Sequence, residues 1–154
     1  MAQVLVVHAS PDAPDVDVCA DGAELFTGAA FPGATAYAMV PAGTYDVAVV
    51  AADAGCGSTA VIRADLPLPA GTDTTVVALN VLAEIEPLVL EDDNSAPMTG
   101  MAKVRFVHAS PDAPTVDITL ADGTTLFDNI AFKEVGDYIE VAGGTYDLEV
   151  RDET

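Results

Sequence analysis

Val7-His8-Ala9-Ser10-Pro11-Asp12-Ala13-Pro14, with Val16-Asp17-Val18 behind it, returns as Val107-His108-Ala109-Ser110-Pro111-Asp112-Ala113-Pro114, with Val116-Asp117-Ile118 behind it. The run His-Ala-Ser-Pro-Asp-Ala-Pro is the same in both copies. Ahead of the first copy, Gln3 to Ala9 is a near-continuous apolar run, predicted as a strand buried on both faces. Two prolines three apart restrict φ twice and remove two N–H donors, so the strand ends at a rigid corner. Val16 to Ala20 alternates as a second strand. Asp21-Gly22 is a two-residue hairpin signal, with Glu24 to Thr27 as the short return strand.

Working outward, Phe31 to Thr35 reads as a loop and Ala36 to Val40 as a strand, turned by Pro41-Ala42-Gly43. Thr44 to Val50 alternates strongly, with Tyr45, Val47 and Val49 on one face. Thr59 to Asp65, Asp73 to Asn80 and Ala83 to Leu90 are predicted as three more strands, with Pro67-Leu68-Pro69-Ala70-Gly71 as a turn. No segment keeps a helical apolar period over about ten residues. Strands recurring at this spacing predict an all-β fold, an immunoglobulin-like Greek-key antiparallel β-sandwich. In Pro41-Ala42-Gly43-Thr44-Tyr45-Asp46-Val47 the glycine frees the turn. The tyrosine is expected to lay its ring over the sandwich end while its hydroxyl reaches backbone.

Glu91-Asp92-Asp93-Asn94-Ser95-Ala96-Pro97-Met98-Thr99-Gly100 is acidic, polar and broken by Pro and Gly, as a linker is. Beyond it, Asp122-Gly123 answers Asp21-Gly22 with one residue inserted. Phe127 answers Phe26, Phe132 answers Phe31, Tyr138 answers Tyr37, and Gly144-Thr145-Tyr146-Asp147 answers Gly43-Thr44-Tyr45-Asp46. Counterparts of residues 55 to 90 are missing. The expected plan is a complete sandwich over 1–94, a linker over 95–102, and a partial second copy over 103–154. Half a sandwich leaves an apolar face and open strand edges. Self-association, for instance by strand exchange between copies, is the expected consequence.

The chain of 154 residues is 51% hydrophobic, enough for a core, and carries 25 acidic against 5 basic residues, net −20. Phosphate neutralisation needs Lys and Arg, so the charge argues against nucleic acid and anionic membranes as partners. The charge suits a solvated acidic surface in cation-rich surroundings, either a divalent-cation-using surface protein or one adapted to salt. No apolar run approaches the ~20 residues of a membrane span. No basic n-region or apolar h-region opens the chain, so any export signal is expected to have been removed. Cys19 and Cys56 are an even pair on exposed-looking positions, expected to form a disulfide; closing such a loop stabilises by roughly 3–4 kcal/mol in the chain-entropy model.

The polar residues common to both copies are His8, Asp12 and Asp17 with His108, Asp112 and Asp117. The first reading is structural: the imidazole bonds a carboxylate or a backbone carbonyl, and the aspartate caps the corner through its own backbone amides. The second is a metal site. Ca²⁺ needs six to eight oxygens, which the cluster lacks unless Glu91-Asp92-Asp93 joins it, and zinc wants more His or Cys. The third is His–Asp acid–base or triad chemistry with Ser10 or Ser110, but a Ser before Pro in a fixed corner is a turn residue and no oxyanion loop accompanies it. The residues favour the first, with no cofactor and no catalytic set.

At these residues the chain resembles a bacterial and archaeal domain family of unknown function. That family is marked by V-H-A-S-P-D-A-P-x-V-D-V, then an Asp-Gly turn, an aromatic, and P-A-G-T-Y-D-V. The resemblance implies a secreted or cell-surface protein, often of tandem units, without an assigned activity. The expectation is a non-enzymatic, extracellular structural or adhesive module. The alternative is a divalent-cation- or carbohydrate-binding module, weakened by the lack of Trp and an aromatic content of 6%, since sugar platforms rely on aromatic faces.

Overall fold

β-Branched residues packed at period two make the first strand, β1 (Ala2–His8), and its register decides which side chains face inward. In the computed structural model, which describes residues 1–152, Ala2, Val4, Val6 and His8 are buried while Gln3, Leu5 and Val7 are half-covered. The run predicted as buried on both faces is therefore sealed on one face and half-open on the other. The described residues are all-β, apart from one 3-10 turn at Leu82–Glu84, and form two compact units, Met1–Asp92 and a second beginning at Asp93.

In the first unit, β1 is the centre of one sheet. It pairs in parallel with β8 (Asp73–Leu79) and antiparallel with β4 (Gly33–Ala34) and β5 (Ala38–Val40); β9 (Glu86–Asp92) flanks β8. The other sheet has the order β3 (Ala23–Ala29), β2 (Val16–Ala20), β6 (Gly43–Ala51), β7 (Ile62–Leu68). Val6 and Ala78 of the first sheet pack against Val16, Val18, Val49 and Ile62 of the second, so the core lies between two facing sheets, as in a β-sandwich. Asp21 and Gly22 both have positive φ, 50° and 79°, which makes the β2–β3 connection a two-residue primed turn matched to the strand twist.

Several boundaries differ from the sequence reading: Gly33–Ala34, expected in a loop, is β4, and Ala83 and Glu84, expected to open a strand, lie in the 3-10 turn. Pro67, expected to open a turn, lies within β7 opposite Thr44. β7 is an edge strand, where a missing N–H breaks no ladder bond. Glu91 and Asp92, expected in the linker, end β9 opposite Thr74 and Asp73. The Tyr37 hydroxyl donates to Asp92 Oδ2 at 2.5 Å and the Thr75 hydroxyl to the same oxygen at 2.7 Å, which holds this acidic strand end in the sheet.

Cys19 and Cys56 are disulfide-bonded, Cα atoms 5.8 Å apart. Cys19 is buried, not exposed. Alternation puts it on the outer face of its sheet, as expected, but Ala48, Val50, Cys56 and Ala60 close over it there. The outer face has become a second small core, with the disulfide tying the loop after β6 onto the sheet.

The second unit has β10 (Met101–Val104) paired with β13 (Ile139–Ala142), and a sheet of order β12 (Thr125–Ile130), β11 (Val116–Leu120), β14 (Leu148–Asp152). Met101 and Ala102, expected in the linker, thus belong to a strand. Val116, Ile118 and Phe127 make its core, with Val104, Phe106, Leu126, Ile130 and Ile139 against them. The residue inserted before Asp122-Gly123 lengthens the hairpin: Leu120 N–H donates to Thr124 O, and only Gly123 has positive φ, 89°. The Asp122 carboxyl accepts the Thr124 N–H, which holds its pKa below the usual range.

Candidate functional site: the repeated corner

His8 ends β1 between Gly33 of β4 and Ala78 of β8 and shares the buried face of Val4 and Val6. Its Nε2 lies 3.0 Å from Pro14 O, and its Nδ1 3.3 Å from the Ser10 backbone N. A carbonyl oxygen only accepts, so the ring's proton belongs on Nε2, and Nδ1 accepts the Ser10 N–H. Both ring nitrogens thereby close the corner on itself, supplying bonds that its two prolines cannot. Phe31 packs edge-on to the ring at 6.1 Å. The second copy repeats the Nε2 contact and the aromatic: His108 Nε2 is 3.0 Å from Pro114 O, with Phe132 edge-on at 6.3 Å.

Asp12 does not cap its own turn. Its Oδ1 accepts the Leu82 N–H at 2.7 Å, tying the corner to the start of the 3-10 turn after β8. Asp17 lies on the outer face of β2 with Cys19, the opposite face from Val16 and Val18. Buried there, it accepts the Gly28 N–H (2.8 Å) and the Asp53 N–H (2.9 Å), one on each oxygen. Gly28 has φ 61° at the register shift between β2 and β3. Asp117 accepts the N–H of Asn129, the counterpart of Gly28, at 2.7 Å and φ 58°. One carboxylate thus holds the same irregularity of the hairpin in each unit.

The side-chain hydrogen bonds of His8, Asp12 and Asp17 all run to backbone, and none runs from one of the three to another. Strand alternation separates them, since His8 faces the inter-sheet core and Asp17 the far side of the opposite sheet. Among the described residues, no three His, Cys, Asp or Glu side chains gather as a metal site. Glu91 and Asp92 are held in β9, and Asp93 is engaged with Lys103 and Ser95. Nor does a Ser–His pair form: the bond between Ser10 and His8 comes from the serine backbone N–H. Ser110 is exposed, and its hydroxyl donates to Asp112 Oδ1 at 3.3 Å. Ser10, by contrast, is fully buried, beside the Ala9 N–H that donates to Ala78 O of β8.

Sequence reading missed the partners of these side chains. Pro14 O, Leu82 N–H and Asp53 N–H are backbone groups without a residue-type signature, whereas Phe31 and Phe132 were visible as answering aromatics.

The corner and its braces define a class: a disulfide-bonded all-β chain that repeats one proline-fixed, histidine-closed corner. The chain belongs to the family of a domain of unknown function, DUF4397, which it matches over residues 2–119 and again over 110–154. No curated protein matches it. Among the described residues, no helix is long and apolar enough to cross a membrane.

Proposed function

We propose that this chain is a non-enzymatic structural or adhesive module of an extracytoplasmic surface protein, built as an immunoglobulin-like Greek-key sandwich followed by residues that repeat its first half, and self-associating through that second copy. The observation that carries this reading is that His8, Asp12 and Asp17, and in the second copy His108 and Asp117, bond to backbone as braces. A histidine with both ring nitrogens engaged and a carboxylate with both oxygens on amides are arranged to hold a corner, not to move a proton.

Three further features agree with it. The Tyr45 hydroxyl donates to Pro41 O at 2.6 Å and that of Tyr146 to Ala142 O at 2.7 Å, each four residues upstream, in the manner of the tyrosine corner of immunoglobulin-like sandwiches. The connections β1–β2, β3–β4, β5–β6 and β7–β8 each cross between the sheets, as Greek-key windings do. A disulfide persists in oxidising compartments, and a charge of −20 keeps a surface hydrated in cation-rich surroundings.

The test is thiol alkylation of intact producing cells before lysis, followed by mass spectrometry, beside assays with ester and glycoside substrates. Cys19 and Cys56 protected from alkylation, with no turnover, is the expected result. Alkylated cysteines would overturn the habitat. Turnover that disappears in His8→Gln would overturn the non-enzymatic reading.

A further inference from the structure

Between the two sheets of the first unit lies a cavity of about 50 Å³. Its wall is apolar and drawn from both sheets, with Val6 and Val76 on one side and Val18, Phe26 and Val47 on the other. The exposed residues of that wall, Asp65 and Val89, belong to β7 and β9, so the cavity opens between these strands. The inward row of β7 is Ile62, Ala64, Leu66 and Leu68. Three of these are buried, and Ala64, the small one, is only half-buried. Val89 pairs with Val76 and so shares the inner face of its sheet, yet it is 49% exposed. Both Ala64 and Val89 line the cavity, and a methyl group in that row does not cover the valine. Pro67 in β7 and Pro87 in β9 blunt the two edges against an added strand, so strand pairing is not what closes the gap.

Size and charge define what fits. A volume of about 50 Å³ exceeds the roughly 10–15 Å³ that admits a water and falls short of the roughly 150 Å³ that admits benzene. Water finds no polar partners on such a wall. A ring is too large, and the end of an unbranched alkyl chain is not. The remainder of that chain has the exposed apolar surface of Val89 to run along. Asp65 is the ionisable residue of the wall. Arg63 is the one basic residue of Met1–Asp92, and it is paired with Asp46 at 2.7 Å. A carboxylate or phosphate head at the mouth therefore meets like charge with no cation to answer it.

We infer that the first unit binds the end of an unbranched alkyl chain through the gap between β7 and β9, and that the chain belongs to a neutral or cationic amphiphile. This site is separate from the repeated corner and from self-association, and its failure would leave the structural reading of the corner standing.

Methyl-detected NMR of the full 154-residue chain, titrated with hexanol, hexylammonium, hexanoate and cyclohexanol at low salt, tests this. Hexanol and hexylammonium should give saturable shifts of the Val18, Val47 and Val76 methyls, with Overhauser contacts from the terminal methyl of the probe to the same side chains. Pentanol, one methylene shorter, should bind about fourfold more weakly. Hexanoate should bind on the order of tenfold more weakly than hexylammonium. Ala64→Leu should fill the gap and abolish the hexanol shifts, with the melting temperature of the first unit unchanged or raised. Should that variant not fold, the Overhauser contacts in the unchanged chain decide. Absence of saturable shifts at the three valines would overturn the site. So would hexanol binding that survives in folded Ala64→Leu, or cyclohexanol bound as tightly as hexanol. Hexanoate bound as tightly as hexylammonium would overturn the head-group assignment.

Discussion

A buried carboxylate that accepts an amide on each oxygen is hard to replace. In Asp17→Asn one oxygen becomes an NH₂ facing either the Gly28 or the Asp53 N–H, so a charge-assisted bond is lost and a donor is left without an acceptor. The expected loss is about 2–3 kcal/mol in urea unfolding. Asp117→Asn, at a less buried site with the Asn129 bond, should cost about 1 kcal/mol. Asp93 gives the clearest pH signature. The Lys103 ammonium at 2.6 Å, with the Ser95 hydroxyl and N–H, lowers its pKa from 3.8 to about 2. A value lower in the folded state contributes stability that is present above about 4 and is lost as pH falls toward 2. Carboxyl ¹³C titration should place its midpoint at about 2, and Lys103→Ala should return it toward the ordinary value. The aspartates were legible as a repeated pattern. Their roles were not, because a bond to a backbone N–H leaves no mark on the residue that supplies it.

At the scale of elements, the disulfide and one glycine carry predictions. Cys19–Cys56 closes a sequence separation of 37, so the paired change Cys19→Ala with Cys56→Ala should lower stability by about 4 kcal/mol in calorimetry or urea unfolding. Part of that loss reflects the outer-face core of Ala48, Val50 and Ala60 that the bridge holds down. Gly136 donates its N–H to Phe106 O, and a Cβ there would stand 2.4 Å from Phe127 Cδ1. Gly136→Ala should therefore cost about 1–3 kcal/mol by displacing the ring from the second core, with a changed Phe127 ring environment in NMR as the check. Strand positions followed from alternation and turn residues, and Asp21-Gly22 is the primed turn its sequence implied. The boundaries at Pro67 and at Glu91-Asp92 moved for one reason: whether a proline or an acidic pair belongs to a strand depends on the neighbour across the ladder.

For the whole molecule, two compact units predict two transitions. Reduction of the disulfide should lower the melting temperature of the one formed by Met1–Asp92, on the order of 15–30 °C for about 4 kcal/mol, and leave the other unchanged. A single transition shifted as a whole by reductant would contradict this.

The sequence by itself determined the all-β class, the repeated corner, the pairing of answering residues between copies and the acidic surface, because alternation, turn chemistry and charge are local properties. Tertiary structure alone decided what the repeated polar residues do. It turned His8 inward and Asp17 outward on different sheets and gave each a backbone partner remote from residue identity. Burial and hydrogen-bond satisfaction are settled by what lies across a sheet, and that is a property of the fold rather than of the residue.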